Sequence, residues 1–231
     1  LTREGHMPNW CNNTIVVKGD ADKIDALKKA VIDHKMLDHM MPMPKELRDS
    51  EKYPADGSER PDLVAKYGAS CWYDWAVNNW QTKWDTGVED ETSISEEDLG
   101  DGRKQISFWF DSAWSPPIGA YEHYLAHNND IDIRATYYEP GCDFAGIFED
   151  NYDNGYTLSD ITDAQLRGDL SELDDHYGIL ESREEWRVDM LTRDDKDVDD
   201  EDSVKEFLKS QAELNDQEME DYITEVRKEY A

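Results

Sequence analysis

The sequence has few basic residues and no long apolar run. Only 24 of its 231 residues are Lys or Arg, against 55 Asp and Glu, which gives a formal net charge of -31. Such a surface repels phosphate over most of its area, so we expect no direct binding to nucleic acid. A membrane span needs about 20 apolar residues, and a signal peptide needs an apolar stretch after a basic start. The sequence contains neither, which predicts a cytoplasmic protein without a membrane partner.

Cysteine pairs and the common catalytic motifs are also missing. Cys11, Cys71 and Cys142 lie far apart and form no CxxC pair, which fits neither a disulfide framework nor a zinc ribbon. They are predicted to be buried thiols. No GxSxG motif, P-loop or GxGxxG motif occurs. The sequence therefore predicts no cofactor and no catalytic residue, although it does not exclude an enzyme.

The aromatic content is high for so acidic a chain. Hydrophobic residues make up 38% of the sequence, which includes 8 Trp and 12 Tyr. Chains that cannot offset the entropy of ordering are usually poor in such side chains, so we predict a folded protein. Gly5-His6 before Met7 is typical of a cloning scar. Residues 1–6 are therefore predicted to be an expression-tag remnant, with the natural protein beginning at Met7.

Hydrophobic periodicity predicts an α+β fold. Thr14–Gly19 is β-branched and ends in glycine, as a buried strand does, and the helix that follows reaches about His34. The same reasoning predicts a helix over 69–79, a strand over 106–110, a helix from Ser115 to His127, and strands over 131–138 and 144–149. Residues 45–68 are predicted to be a surface insertion and residues 89–102 an acidic excursion.

Residues 151–231 differ in composition from the rest of the chain. They contain 26 acidic and 9 basic residues, a net charge of -17. Their apolar residues recur at helical spacing, and Ser182–Glu185 and Asn215–Glu218 resemble capping boxes at helix starts. We therefore predict an α+β domain over 7–150 and an acidic, mostly helical C-terminal region over 151–231.

Several short segments resemble the YubB-like family of phage and plasmid proteins. They are Met7–Thr14, Pro42–Pro44, Asn79–Asp85, Ser112–Pro117, Tyr138–Gly141 and Phe144–Gly146, in that order. The resemblance implies a ferredoxin-like sheet with helices on one face over about residues 7–150, and an origin in a phage or plasmid. The name describes topology and implies no iron–sulfur cluster, which would need more thiolates. The family has glycine where Gln81 stands, and no function is assigned to it.

The charge suggests the first hypothesis for function. Rows of carboxylates on a rigid surface can imitate backbone phosphates and attract a basic protein. The candidate partner-binding residues are Glu181, Glu185, Glu184, Asp189, Glu213, Glu218, Asp221 and Glu225. This pattern favours a non-catalytic protein that binds a basic host protein, as a nucleic-acid mimic that inhibits host defence. Acidic surfaces that serve only solubility are the alternative, and the oligomeric state is not predicted.

A second hypothesis is a small-ligand or nucleotide-binding protein, or an enzyme. Tryptophans beside a lysine can stack on a base, although Trp72, Trp75, Trp80, Trp84, Trp109 and Trp114 are also typical of a core. The family-like segments place the candidate pocket at Trp80, Lys83, Trp84, Trp114 and Glu139.

Two weak metal patterns are present. Asp195, Asp197, Asp199 and Glu206 match positions 1, 3, 5 and 12 of a calcium loop, but Asp200 stands where that loop needs glycine. A solvated acidic linker is the alternative. His123 and His127 are one helical turn apart, without the glutamate of HExxH or a third ligand.

Overall fold

The computed structural model describes residues 9–51, 60–193 and 198–230. The chain divides into two compact units. The first comprises residues up to Cys142 together with Gly146–Asn154. The second comprises Asp143–Ala145 and the residues from Gly155 onward. The architecture is mixed α and β, as the sequence predicts.

The chain begins with a strand, continues through helices and returns to strands. Its first part contains β1 (Trp10–Asp20), α1 (Ala21–Ile32), α2 (Met36–Met40), α3 (Lys45–Arg48), α4 (Pro61–Tyr67), α5 (Trp72–Asn79), β2 (Ser95–Gly100), β3 (Arg103–Ala113), α6 (Ile118–His127), β4 (Asp132–Glu139), β5 (Phe144–Glu149) and β6 (Tyr152–Thr157). The six strands form one sheet in the order β2-β3-β1-β4-β5-β6. Strand β1 is central and pairs antiparallel with β3 and β4, while β2 pairs antiparallel with β3.

One face of the sheet forms the core of the first unit. Successive strand residues point to opposite faces, so Ile15 and Val17 share a face with their cross-strand neighbours Phe108 and Ile133. All four are buried. Helix α1 contacts β1 and β3, and α6 contacts β4. Apolar stripes on these helices therefore remove the same face of the sheet from water.

Two strands lie where the sequence predicts none. Strand β2 falls within residues 89–102, and β6 falls within the region predicted to be mostly helical. Every residue of β2 is exposed, so it has no apolar alternation that sequence reasoning could detect. Its pairing with β3 stabilises it instead, together with ion pairs from Glu96 to Lys28 and Lys104.

The second unit is mainly helical, although it also includes the start of β5 and the end of β6. It contains α7 (Asp163–Leu166), α8 (Ser171–Tyr177), α9 (Ile179–Thr192), α10 (Val198–Ser210) and α11 (Asp216–Glu229). Helices α9, α10 and α11 share a buried cluster formed by Leu191, Val204, Leu208, Met219, Ile223 and Val226. This cluster gives the three helices a common apolar core.

One of the two predicted helix starts in this region is confirmed. Asn215 caps α11, and Glu218 bonds back to the Asn215 backbone N–H at 2.8 Å. The start predicted at Ser182 is wrong, because α9 already begins at Ile179, directly after Gly178. Gly178 has a φ of 59° and ends the preceding helix in the left-handed conformation that glycine adopts without steric cost. Among the described residues, no helix combines the length and hydropathy needed to cross a bilayer.

Candidate functional site

Helix α9 presents a row of carboxylates. Glu181, Glu185 and Asp189 recur every four residues and are all exposed. A helix rises about 1.5 Å per residue, so these side chains follow one another at intervals of about 6 Å. In the part of the chain that the structure describes, no ion pair involves them. We call these three residues the α9 acidic row.

Helix α11 and the loop before it supply further exposed carboxylates. Glu218, Asp221 and Glu225 are spaced by three and four residues and lie on one side of α11. Glu218 also caps the helix, and Asp221 accepts a hydrogen bond from Gln217 at 2.8 Å. Glu213 is exposed in the preceding loop. Most of the predicted acidic residues are therefore available to a partner.

Glu184 has a different environment from the other predicted acidic residues. It lies 3.0 Å from the Arg187 guanidinium and accepts a hydrogen bond from the Tyr222 hydroxyl at 2.8 Å. Burial and this carboxylate together raise the pKa of Tyr222 above its usual value. Glu184 thus links α9 to α11. Trp186, which packs against Phe207 with ring centroids 5.4 Å apart, is 38% exposed beside the α9 acidic row.

A groove in the first unit contains three of the predicted pocket residues. It has a volume of about 350 Å³ and is lined by His34, Lys35, Asp38, Met43, Arg48, Trp72, Trp80, Lys83, Trp84 and Asp85. We call it the tryptophan groove. Lys35, Arg48 and Asp38 were not among the residues predicted from the sequence. They are 35 to 50 positions from the Lys83 region, and no local pattern indicates that they meet it.

Hydrogen bonds join the segments around the tryptophan groove. The Asp85 carboxylate accepts from the backbone N–H groups of Leu37 and Asp38 at 2.7 and 3.0 Å. Trp80 is buried, and its Nε1 donates to the Met41 carbonyl at 2.8 Å. Arg48 pairs with Asp38. Burial raises the pKa of Asp85, while the hydrogen bonds from backbone N–H groups oppose that shift.

Gly87 allows the segment after Trp84 to approach α1 closely. A Cβ atom at this position would lie 2.1 Å from the Val31 carbonyl oxygen, closer than atoms can pack. The next residue, Val88, donates its N–H to the same oxygen at 3.2 Å. Thr86 adds a hydrogen bond from its hydroxyl to the Asp111 carbonyl at 2.8 Å. These contacts fix the position of Asp85 and Trp84 against the end of α1 and strand β3.

Lys83 lies against two indole rings. Its Nζ is 3.9 Å from the Trp84 ring centroid and 5.0 Å from that of Trp114. Trp114 does not line the tryptophan groove, although it adjoins it through Lys83. Trp114 and Gln81 have φ angles of 72° and 68°, a left-handed conformation that costs a non-glycine residue on the order of 1–3 kcal/mol. A glycine, as in the YubB-like pattern at the Gln81 position, would adopt this conformation without that cost.

The remaining tryptophans have different environments. Trp75 is buried and packs edge-on against Trp80, with ring centroids 5.5 Å apart. Trp72 lines the tryptophan groove. Trp109 is 54% exposed on the sheet face opposite the core. The aromatic residues are therefore divided between core, groove and surface.

Glu139 does not line the tryptophan groove. It is buried at the end of β4, where its carboxylate accepts a hydrogen bond from the Cys142 backbone N–H. Asn9 donates to the Cys142 sulfur at 3.3 Å. The hydrogen bond between the Cys142 thiol and Glu139 raises the pKa of that thiol. Glu139 therefore organises the turn after β4.

We expect Cys142 to be the thiol that alkylates in the native protein. Cys142 is exposed, which differs from the prediction of three buried thiols, whereas Cys11 and Cys71 are buried. Burial also raises the pKa of Cys11 to about 12.

Because the thiolate is the reactive form, Glu139→Gln should shift the pH profile of Cys142 alkylation to lower pH. Peptide mass spectrometry after iodoacetamide treatment over a pH series measures this. Glu122→Gln, an exposed change on α6, should leave the profile unchanged; an unshifted profile in Glu139→Gln would contradict the assignment.

The metal patterns gain no geometric support. Asp195 and Asp197 lie outside the described residues, and the side chain of Asp199 is also undescribed. Glu206 is exposed on α10. His123 and His127 stack with ring centroids 4.2 Å apart, and their Nδ1 atoms contact the carbonyls of Met40 and His123. Within the described ranges, no group of three or more His, Cys, Asp or Glu side chains is placed to hold a metal ion.

Comparisons with known proteins add little. No protein-family model and no curated protein matches the chain. Among solved structures, the chain is similar to the crystal structure of protein Api92 from Yersinia pseudotuberculosis, which carries the family designation DUF1281. The two share 11% sequence identity with a TM-score of 0.35, over 65% of this chain and 98% of that one. A likeness of this size carries no argument about fold or function.

Proposed function

We propose that this protein is a non-catalytic interaction protein that binds a basic protein of its host through the acidic helices of its second unit. The α9 acidic row is the observation that carries the proposal. Its three carboxylates are exposed and regularly spaced on a helix that Leu191 anchors in the apolar cluster. A fixed row of negative charge resembles a nucleic-acid backbone in its electrostatics.

The physical argument combines steering with a hydrophobic anchor. Complementary charge accelerates encounter and excludes partners of like charge. Tryptophan is enriched among the residues that contribute most to interface affinity, and Trp186 lies one turn before Asp189. Lysines and arginines that normally bind DNA or RNA phosphates would pair with the α9 acidic row. In this role the protein inhibits a nucleic-acid enzyme of host defence by occupying its binding site.

The finer fold assignment belongs with this proposal. The order β2-β3-β1-β4, with α1 following β1 and α6 connecting β3 to β4, supports a ferredoxin-like arrangement of the first four strands. That arrangement supports membership of the YubB-like family and an origin in a phage or plasmid. Such a protein would act in the cytoplasm of the host cell, and 151–231 would be its acidic partner-binding region.

The test compares two variants with equal charge changes. The first carries Glu181→Gln, Glu185→Gln and Asp189→Asn, and the control carries Glu97→Gln, Glu122→Gln and Asp101→Asn in the first unit. Each full-length protein is immobilised and exposed to bacterial lysate at low salt. Captured proteins are identified and tested for DNA binding in competition with the soluble wild-type protein.

We expect the wild type and the control to capture a nucleic-acid enzyme and displace it from DNA. The variant of the α9 acidic row should bind that enzyme about tenfold or more weakly, because loss of charge complementarity slows association. Binding should also weaken at moderate salt. Equal capture by both variants, or no captured protein that competes with DNA, would refute the proposal.

A further inference from the structure

We propose that the tryptophan groove of the first unit binds a small ligand that carries an aromatic ring and a phosphate, of the nucleoside monophosphate class. This activity is independent of the acidic helices. It rests on the charge, the aromatic lining, the size and the rigidity of the groove.

The charge of the groove has the opposite sign to that of the whole chain. Lys35, Arg48 and Lys83 line it, against the two carboxylates Asp38 and Asp85, which gives a net charge of +1. Both carboxylates already have partners: Asp38 pairs with Arg48, and Asp85 accepts backbone N–H groups. In a protein with a net charge of -31, this local reversal favours an anion.

The aromatic lining suits a ring beside the anion. Trp72 and Trp84 line the groove next to the cations, and Trp84 is 38% exposed. Lys83 Nζ lies 3.9 Å from the Trp84 ring centroid. The groove therefore offers a positive charge directly beside an indole ring. Indole rings stack on nucleobases whatever the base, and a nearby ammonium pairs with the phosphate.

The size of the groove limits the ligand. A volume of about 350 Å³ is at the lower end of the range of about 300–1,000 Å³ for small-molecule pockets. A neighbouring cavity of about 420 Å³ shares Trp84 but is lined by Glu89, Asp90 and Asp111. These carboxylates repel further phosphates. The surroundings therefore favour a single nucleotide over a nucleic-acid chain.

The groove is also preorganised. Trp80 forms part of its wall and is held by Met41, while Asp85 fixes the first turn of α2. Ser50 accepts the Trp72 backbone N–H at 2.9 Å, which ties the start of α5 to the residues after α3. A site whose walls are already fixed loses little conformational entropy when a ligand binds.

The test is calorimetric titration of the full-length protein with AMP, GMP, CMP and UMP. Adenosine without phosphate and inorganic phosphate alone are titrated in parallel. We expect saturable binding of at least one nucleotide and at least tenfold weaker binding of both fragments. No heat with any nucleotide at millimolar concentration would overturn the proposal. Equal affinity for inorganic phosphate would overturn the role of the aromatic wall.

Matched lysine variants locate the site. Lys83→Gln and Lys35→Gln should each weaken nucleotide binding by about tenfold, the scale of one lost charge-assisted hydrogen bond. Lys29→Gln removes the same charge from an exposed position on α1 outside the groove and should bind like the wild type. Lys35 is exposed, so Lys35→Gln should fold normally. This variant therefore still tests the site if Lys83→Gln fails to fold. Unchanged affinity in both groove variants, or an equal loss in Lys29→Gln, would overturn the assignment.

Discussion

Asp163→Asn is expected to lower the free energy of unfolding of the second unit by about 3–5 kcal/mol, the usual cost of removing one partner from a buried ion pair. Asp163 is only 2% exposed and lies between two buried arginines. Its carboxylate oxygens are 2.8 Å from the Arg183 guanidinium and 3.3 Å from that of Arg187. Asparagine keeps the shape of the side chain but leaves the buried charge of Arg183 without a carboxylate partner, while Arg187 keeps only the more exposed Glu184.

The surroundings of the two arginines compensate only part of this loss, since Glu184 contacts Arg187 from a half-exposed position and does not contact Arg183. Arg183 also donates to the carbonyls of Leu158 and Ile161 at 3.0 and 3.1 Å. Arg187 Nε has no acceptor among the described residues. Both guanidiniums lie over the Phe207 ring, 5.5 and 5.2 Å from its centroid. Cation–π contact contributes on the order of 1–2 kcal/mol, less than the loss of the buried carboxylate.

Urea denaturation followed by circular dichroism measures the effect, because the second unit is mainly helical. Asp189→Asn is the matched control: it makes the same chemical change at an exposed position on α9. It should alter stability by no more than about 0.5 kcal/mol. Equal stability of Asp163→Asn and Asp189→Asn would contradict the buried ion cluster.

Phe110→Ala is expected to destabilise the first unit by about 3–5 kcal/mol. Phe110 lies in the C-terminal half of β3 and is 1% exposed, with its ring centroid 5.9 Å from that of Phe108. Truncation removes the transfer free energy of the ring and leaves a cavity that the surrounding sheet and helices cannot fill. Urea denaturation followed by tryptophan fluorescence measures this cost as a lower midpoint urea concentration.

The neighbouring residue provides the control for this prediction. Trp109 precedes Phe110 on the same strand but points to the opposite face and is 54% exposed. Trp109→Ala should therefore cost no more than about 1 kcal/mol. If Trp109→Ala destabilised the protein as much as Phe110→Ala, the assignment of Phe110 to the buried face and Trp109 to the exposed face of β3 would be wrong.

The candidate sites differ in how far sequence could predict them. The α9 acidic row follows from periodicity, because Glu181, Glu185 and Asp189 repeat at the spacing of one helical turn. Trp80, Lys83 and Trp84 of the tryptophan groove were predicted through the family-like segments. Lys35 and Arg48 were not. The hydrogen bonds that hold α2 beside this segment run from Trp80 Nε1 to the Met41 carbonyl and from the Leu37 N–H to the Asp85 carboxylate, and they join residues 39 and 48 positions apart. Such contacts leave no local pattern.

By itself the sequence determined the features that arise from nearest neighbours along the chain. Apolar alternation gave strands β1, β3 and β4, helical spacing gave α1, α6 and the C-terminal helices, and Asn215 with Glu218 gave the start of α11. Strand β2 is visible only in the tertiary structure, because its residues are exposed and are ordered by pairing with β3. The tertiary structure also decided which charges are buried: the sequence does not distinguish Asp163 from Asp189. The reason is that burial and strand pairing depend on residues distant in the chain, whereas periodicity and capping depend on residues within a few positions.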